Sequence, residues 1–239
     1  MYARTVGSRE LTFGVSGMLW RENLVMYDRQ TDSWWAQAMG LAIQGEFEGT
    51  ELEMYPSQMM TWAEWVKLHP DTLVLAKPTG RGAARSMSDG YANYHSGGNI
   101  GVTGYTRFTG RDVDAKALVL GFRIDDLGFA VQPDQFDDVS AFVADAADIS
   151  VVIAATPDKS GFRVFRAGAH QFEASTRGDA TILVDQATGS EWDPFAGRAA
   201  SGSLTGQQLE EIPATLSYWF AWRAFFPTAT FLTRGDGGW

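Results

Sequence analysis

No cysteine occurs among the 239 residues, an absence that removes disulfides, thiolate nucleophiles and cysteine-ligated zinc or iron–sulfur centres in one step. Histidine is nearly as scarce. His69, His95 and His170 sit in three separate stretches at no ligand spacing, so neither a metal site nor a cofactor is expected. No run approaches the 18 apolar residues of a membrane-spanning helix, and the opening MYARTVGSRELTF has no apolar signal core. The default expectation is therefore a cytoplasmic protein with no membrane span. Positive charge is also in short supply. With 19 Lys and Arg against 29 Asp and Glu, the chain carries a formal net charge of -10 and a pI near 4.7. Phosphate backbones are bound by clustered cations, so nucleic acid is not the expected partner. Finally, no GxSxG, HExxH or Walker pattern is present to announce a reaction.

What the chain does contain is a repeat. Residues 28–75, DRQTDSWWAQAMGLAIQGEFEGTELEMYPSQMMTWAEWVKLHPDTLVL, align without a gap on residues 185–232, DQATGSEWDPFAGRAASGSLTGQQLEEIPATLSYWFAWRAFFPTATFL. Fifteen of 48 positions are identical, where unrelated chains would share about three. The matches pair Trp35 with Trp192, Trp62 with Trp219, Trp65 with Trp222, and Gly40, Gly45 and Gly49 with Gly197, Gly202 and Gly206. The expected fold is mainly β (α+β), built as one compact unit from two related halves, each with a short Trp-bearing helix packed on its sheet. The first half would be 1–76 and the second 117–239, with a connecting loop at 77–116.

The period of the pattern gives the elements. Residues 11–27 alternate around a turn and read as two strands, followed by further strands near 41–47 and 50–55 that Pro56 ends. The turns DRQTDS and DQATGS place Asp28, Thr31 and Ser33, and their second-half counterparts, where side chains cap backbone N–H groups, so turn chemistry explains them better than catalysis. In MTWAEWVKL the residues Trp62, Trp65 and Val66 fall on one helical face, with Thr61 or Ser57 as N-cap; SYWFAWRAFFP repeats the spacing. Core packing of both Trp pairs is expected. Residues 73–75 and 230–232 return as strands. ALVLGFRI with GFAVQP, and ISVVIAAT with GFRVFRAG, read as hairpins, and FDDVSAFVADAA reads as a short helix with acidic residues at its start.

The halves are unequal. A complete strand pair, ISVVIAATPDKSGFRVFRAG, precedes the second core, while only MYARTVGSRELTF precedes the first. Residues 1–13 are therefore expected at a sheet edge, closed either by a strand of the second half or by the same edge of a partner in a homodimer.

Several of these stretches carry a likeness beyond the internal one. LTFGVSGMLWRENLVMYDRQTDSWWAQ, the TWAEW and HPDT segments, YANYH, KALVLGFRI and YWFAWRAFFP together resemble a bacterial and archaeal family registered as a domain of unknown function. The likeness spans nearly the whole chain. Relatives look as though they carry a Cys-Pro-x-Cys-Gly type segment upstream of LTFGVSG, chemistry that this cysteine-free chain does not hold. The resemblance implies a fold and no reaction.

Candidate functional residues come from the connecting stretch. Residues 77–111 hold eight glycines and five Lys or Arg against one Asp, a basic and aromatic loop in an acidic protein. Long loops of this kind are usually functional or disordered. Arg85, Tyr91, Tyr94 and His95 are the candidates there, with Glu64 as a carboxylate that only one half possesses. Two readings follow. In the first, the chain is a binding module whose loop contacts a small anionic ligand or another protein; in the second, it is an enzyme using His95, Tyr91, Tyr94, Arg85 and Glu64 in general acid–base chemistry on a small anionic substrate. A pocket where His95 meets a carboxylate would favour the enzyme.

Overall fold

Alternating apolar residues put much of the chain into strands, and the computed structural model, which describes residues 1–76, 91–101, 113–178 and 180–235, is mainly β, with several antiparallel sheets and short helices. The first half opens with a two-stranded hairpin, β1 (Thr5–Val6) and β2 (Arg9–Glu10). Next comes a four-stranded antiparallel meander of β3 (Phe13–Trp20), β4 (Asn23–Asp28), β5 (Trp34–Ala36) and β6 (Leu41–Gln44). Arg21 and Glu22, at the tip between β3 and β4, both take positive φ (52° and 61°), as a two-residue type I′ loop requires. Helix α1 (Trp62–Leu68) ends the first half, and α2 (Ala92–Ser96) follows.

The second half contains two hairpins, β7 (Leu118–Ile124) with β8 (Leu127–Val131), and β9 (Ala141–Ala146) with β10 (Ile149–Ala155). β11 (Phe162–Arg166) completes the strand pair with β10. A second meander follows: β12 (Phe172–Arg177), β13 (Ala180–Asp185), β14 (Glu191–Asp193) and β15 (Arg198–Ala199). The chain then runs through β16 (Glu211–Ile212), β17 (Ala214–Tyr218), helix α3 (Trp219–Phe225) and β18 (Thr230–Phe231). β16 pairs with β11, whereas β17 pairs with β7, so the backbone changes sheets at Pro213.

These sheets stack. Leu120, Phe122, Phe142, Val151 and Ile153 fill the space between the β7–β8 sheet and the β9–β11 sheet. Val152, Phe165, Leu183 and Trp192 fill the next layer, between the β9–β11 sheet and the second meander. Every residue of β10 from Val151 to Ala155 is buried because both faces of its sheet are covered. On the outer face of the β7–β8 sheet, Val119 and Ala130 receive Trp219, Trp222 and Phe226 from α3 and its end. A Cβ on Gly121 would stand 2.5 Å from the Trp222 ring, so the strand must carry glycine for the helix to approach. The first half has its own smaller core of Leu11, Trp35, Ala42 and Leu52.

Several backbone bonds recur at matched positions of the aligned segments. Leu52 N–H donates to Gly40 and Leu209 N–H to Gly197 (both 2.8 Å), and Gly49 to Ala42 as Gly206 to Ala199 (both 2.9 Å). Gly40 and Gly197 share φ 63°, and a Cβ on either would collide with an aromatic ring, Tyr2 in one half and Phe165 in the other. The register agrees: Tyr2 bridges Met54, and Phe165 pairs with Glu211, which is Met54's counterpart. The N-terminal residues thus stand in the place of β11, not of β10. Ala3 N–H donates to Glu53 and Tyr55 N–H to Met1. Among the described residues no strand of the second half pairs with residues 1–3, so the expected closure of that edge within the chain is not found.

Other expectations need correction. FDDVSAFVADAA is not a helix: Pro133–Phe136 form a 3-10 turn and Ala141–Ala146 are β9. That strand lies inside a two-sided stack, so Phe142 and Val143 both meet apolar layers, and the resulting unbroken apolar run carries no period-2 signal. Residues 73–75 are not a strand. Their counterparts in β18 lie parallel to β8, while Leu73 and Leu75 are each 95% exposed. Residues 50–55 make only isolated bridges rather than a strand. Trp62, expected in the core, is 56% exposed, against 5% for its counterpart Trp219. α1 is instead fixed at its first turn. Thr61 caps it through Glu64 N–H and donates its hydroxyl to Asp158 (2.6 Å), while Thr61 N–H reaches Ser160 (2.9 Å). The Asp158 carboxyl is raised by burial, but the donors Thr61, Ser160 and Thr156 outweigh that and hold it well below the usual range.

Candidate functional site

Of the residues singled out in the sequence, α2 gathers three. Tyr91 is its N-cap, Tyr94 lies within it, and His95 sits in its last turn with Nδ1 2.6 Å from the Tyr218 hydroxyl, at the end of β17. The Tyr94 and Tyr218 rings meet edge-on at 6.2 Å. Lys116 closes the group: its ammonium donates to the Tyr94 and Gly97 carbonyls and lies 4.1 Å from the centre of the Tyr94 ring. Burial raises the Tyr94 phenol above its ordinary value, although its oxygen accepts from Gly101 N–H (3.1 Å). The phenol therefore stays protonated at neutral pH. Arg85 lies outside the described residues. Glu64 is not part of this group; it is buried on α1, where its carboxylate pairs with Lys67.

A cleft that the sequence did not point to lies where the halves meet. It encloses about 710 Å³. The first half contributes Gln37, Met39, Met54 and Met59; the second contributes consecutive residues of β7 and β17 together with Trp222 and Phe225 from α3. Methionine is unbranched and polarisable, so such a wall adapts to different occupants. The junction around the cleft is held by Arg123 paired with Glu51, by Arg21 donating to the Ala224 carbonyl (2.9 Å) and by Trp20 edge-on to Phe225 at 5.7 Å. Tyr2, at one end, donates to the Ala38 carbonyl (2.8 Å), and burial pushes its phenol up to about 12, with Arg123 opposing and Glu51 adding. The wall's charged side chains are paired: Arg123 with Glu51, Arg166 with Glu210 at 3.4 Å, and Glu211 with Arg163. The methionines at 39, 54 and 59 carry no motif.

No group of three or more His, Asp or Glu side chains with metal-binding geometry occurs among the described residues. No helix among them is long and apolar enough to cross a membrane. A family profile for proteins of unknown function, DUF3179, matches residues 1–229. The chain belongs to that family. No curated protein and no solved structure matches it. For a DUF3179 chain, then, function has to be argued from the site itself.

Comparing the halves of this DUF3179 chain singles out two indoles. Trp35 Nε1 donates to Asp28 (3.0 Å) and Trp65 Nε1 to Thr72 (2.8 Å), whereas their counterparts Trp192 and Trp222 have buried Nε1 atoms with no acceptor among the described residues. Each loss has a cause in the sequence. Thr72 is replaced by Ala229, which has no hydroxyl. In the second case the Asp185 oxygen that would accept from Trp192 instead meets His170 Nδ1 at 2.9 Å. His170 stands where Leu11 stands in the first half, each a residue before the one whose carbonyl accepts from Arg29 or Gln186 N–H. A buried donor left unpaired costs about 1–3 kcal/mol. Ala229→Thr should therefore stabilise the protein by about 1 kcal/mol, raising its melting temperature by about 2–4 °C. A lowered melting temperature would show that the Thr72 geometry does not transfer.

Proposed function

We propose that the chain is two versions of one β unit, 1–76 and 117–239, joined by residues 77–116, and that it works as a binding module whose site is the cleft between them. The observation that carries this reading is the cleft itself. At about 710 Å³ it lies within the size range of ligand pockets, and its wall sets adaptable methionine side chains among nearly as much polar as apolar surface. The pairing of the charged wall groups supports a neutral occupant over the anionic one that the basic loop suggested.

The experiment is a fluorescence titration with Nile red, an uncharged dye that brightens in apolar sites. Saturable binding near one dye per chain is expected, weakened at least tenfold by Ser217→Trp, which fills the cleft, with the melting temperature unchanged. Gln37→Trp, on the opposite wall, serves if the first variant does not fold. Absence of saturable binding, or binding indifferent to both variants, would overturn the reading.

A second reading is supported by the 2.6 Å contact between His95 and Tyr218 beside Lys116. In it, α2 carries general acid–base chemistry on a small anionic substrate, with Arg85 as a further candidate. A turnover lost in His95→Ala while dye binding persists would favour this enzyme over the module.

A further inference from the structure

The cleft has one wall with directional requirements. β17 is the terminal strand of its sheet, paired with β7 on one side only, and Pro213 to Ser217 line the cleft in succession. The orientation of its backbone follows from the register. β17 and β7 pair antiparallel with Thr215 opposite Gly121 and Ser217 opposite Val119, and the next such pair, Trp219 with Ala117, is joined by Trp219 N–H donating to Ala117 at 2.9 Å. In an antiparallel ladder the bonded pairs alternate, so Thr215 and Ser217 point their N–H and C=O groups at β7, while Leu216 points both of its groups the other way, and so does the N–H of Tyr218. None of those three outward groups has a partner among the described residues. Among the described residues β11 pairs with β16 only as far as Ile212, where β16 gives way to Pro213 and β17. An unpaired strand edge is a template for another strand, and this one is set into a concave wall.

The charges decide between occupants. A carboxylate or phosphate would find Arg123, Arg163 and Arg166 already engaged with Glu51, Glu211 and Glu210. A peptide backbone is neutral and carries donors and acceptors at the spacing that Leu216 and Tyr218 present, and Met54 and Met59, across the cleft, can accept varied apolar side chains. We infer that the cleft binds an extended peptide, about five residues of which add to the free edge of β17 and place alternate apolar side chains against the methionine wall. This inference rests on the reading of the cleft as the binding site.

The probes are soluble fluorescein-labelled octapeptides alternating apolar residues with Ser or Thr, and the same sequences N-methylated at alternate residues so that one edge cannot form a ladder. The unmodified peptides should bind saturably and compete with the dye. N-methylation on the pairing edge should weaken binding at least tenfold, and so should Leu216→Pro, which removes an outward N–H from an edge strand that tolerates proline. If Leu216→Pro does not fold, the N-methylated series decides alone. Dye bound in the cleft together with no peptide binding, or with peptides indifferent to N-methylation, would overturn the peptide inference and leave the cleft reading standing. Absence of both would overturn the cleft reading as well.

Discussion

Trp222→Ala should destabilise the protein by about 3–5 kcal/mol, while Trp62→Ala on the first-half helix should change stability by less than about 0.5 kcal/mol. The side chains share a residue type and a helical setting. Their surroundings differ: Trp222 is 9% exposed and lies over Gly121 with its ring 4.6 Å from that of Phe226, whereas Trp62 is 56% exposed. Truncating Trp222 opens a cavity against a strand that has glycine at the contact and no side chain to fill it. Truncating Trp62 removes a ring that is largely in water. Chemical denaturation of both variants measures the contrast. Equal losses would show that α1 is packed as tightly as α3, and two small losses that the α3 layer is not part of the cooperative core.

That contrast also shows where sequence reading succeeds and where it stops. The turn, glycine and tryptophan positions were legible because their backbone needs are local: Asp28 and Asp185 both cap their own turns, and Asp32 and Gly189 both adopt positive φ. Whether a helix finds a sheet beneath it is not local. The spacing of Trp62 and Trp65 matches that of Trp219 and Trp222, yet only the second pair meets the β7–β8 hairpin. The same limit explains the error at 136–147, where a strand covered on both faces loses the alternation that would mark it. The cleft was invisible for a related reason. Its walls come from segments more than 200 residues apart, such as Asn23 and Phe225, and methionine carries no positional signature. The α2 cluster was partly legible, since Tyr91, Tyr94 and His95 lie within five residues, but its completion by Lys116 and Tyr218 depended on the tertiary fold.

The halves also predict different responses at their two buried carboxylates. Asp28 accepts from Thr31 N–H (2.7 Å), from the Thr31 hydroxyl (2.9 Å) and from Trp35 Nε1 (3.0 Å), while Asp185 accepts from Thr188 N–H (2.9 Å) and hydroxyl (2.7 Å) and faces His170. Burial raises the Asp28 carboxyl, but the donors Trp35, Thr31 and Gln30 outweigh it; at Asp185 the Thr188 hydroxyl leads the lowering against burial, with His170 adding to it. Both carboxyls therefore titrate below their ordinary value of 3.8 in the folded protein. The unfolded chain holds more protons in that range. The stability they contribute is complete above the ordinary value and is lost as pH falls through the folded values.

An Asn at either position keeps one oxygen for the threonine donors and presents an NH₂ on the other side. At Asp28 that NH₂ would face the Trp35 N–H, donor against donor in a fully buried setting, so Asp28→Asn should cost about 3 kcal/mol or more. At Asp185 the NH₂ would face His170 Nδ1, which accepts in its other tautomer, so Asp185→Asn should cost about 1–2 kcal/mol less. Urea unfolding between pH 3 and 7 measures both effects. Each variant should lose part of the wild-type fall in stability below pH 4, and the gap between the two variants should close in His170→Leu, where the second half copies the first and Asp185 gains Trp192 as its donor. A gap that survives that substitution would show that His170 is not what separates the two carboxylates.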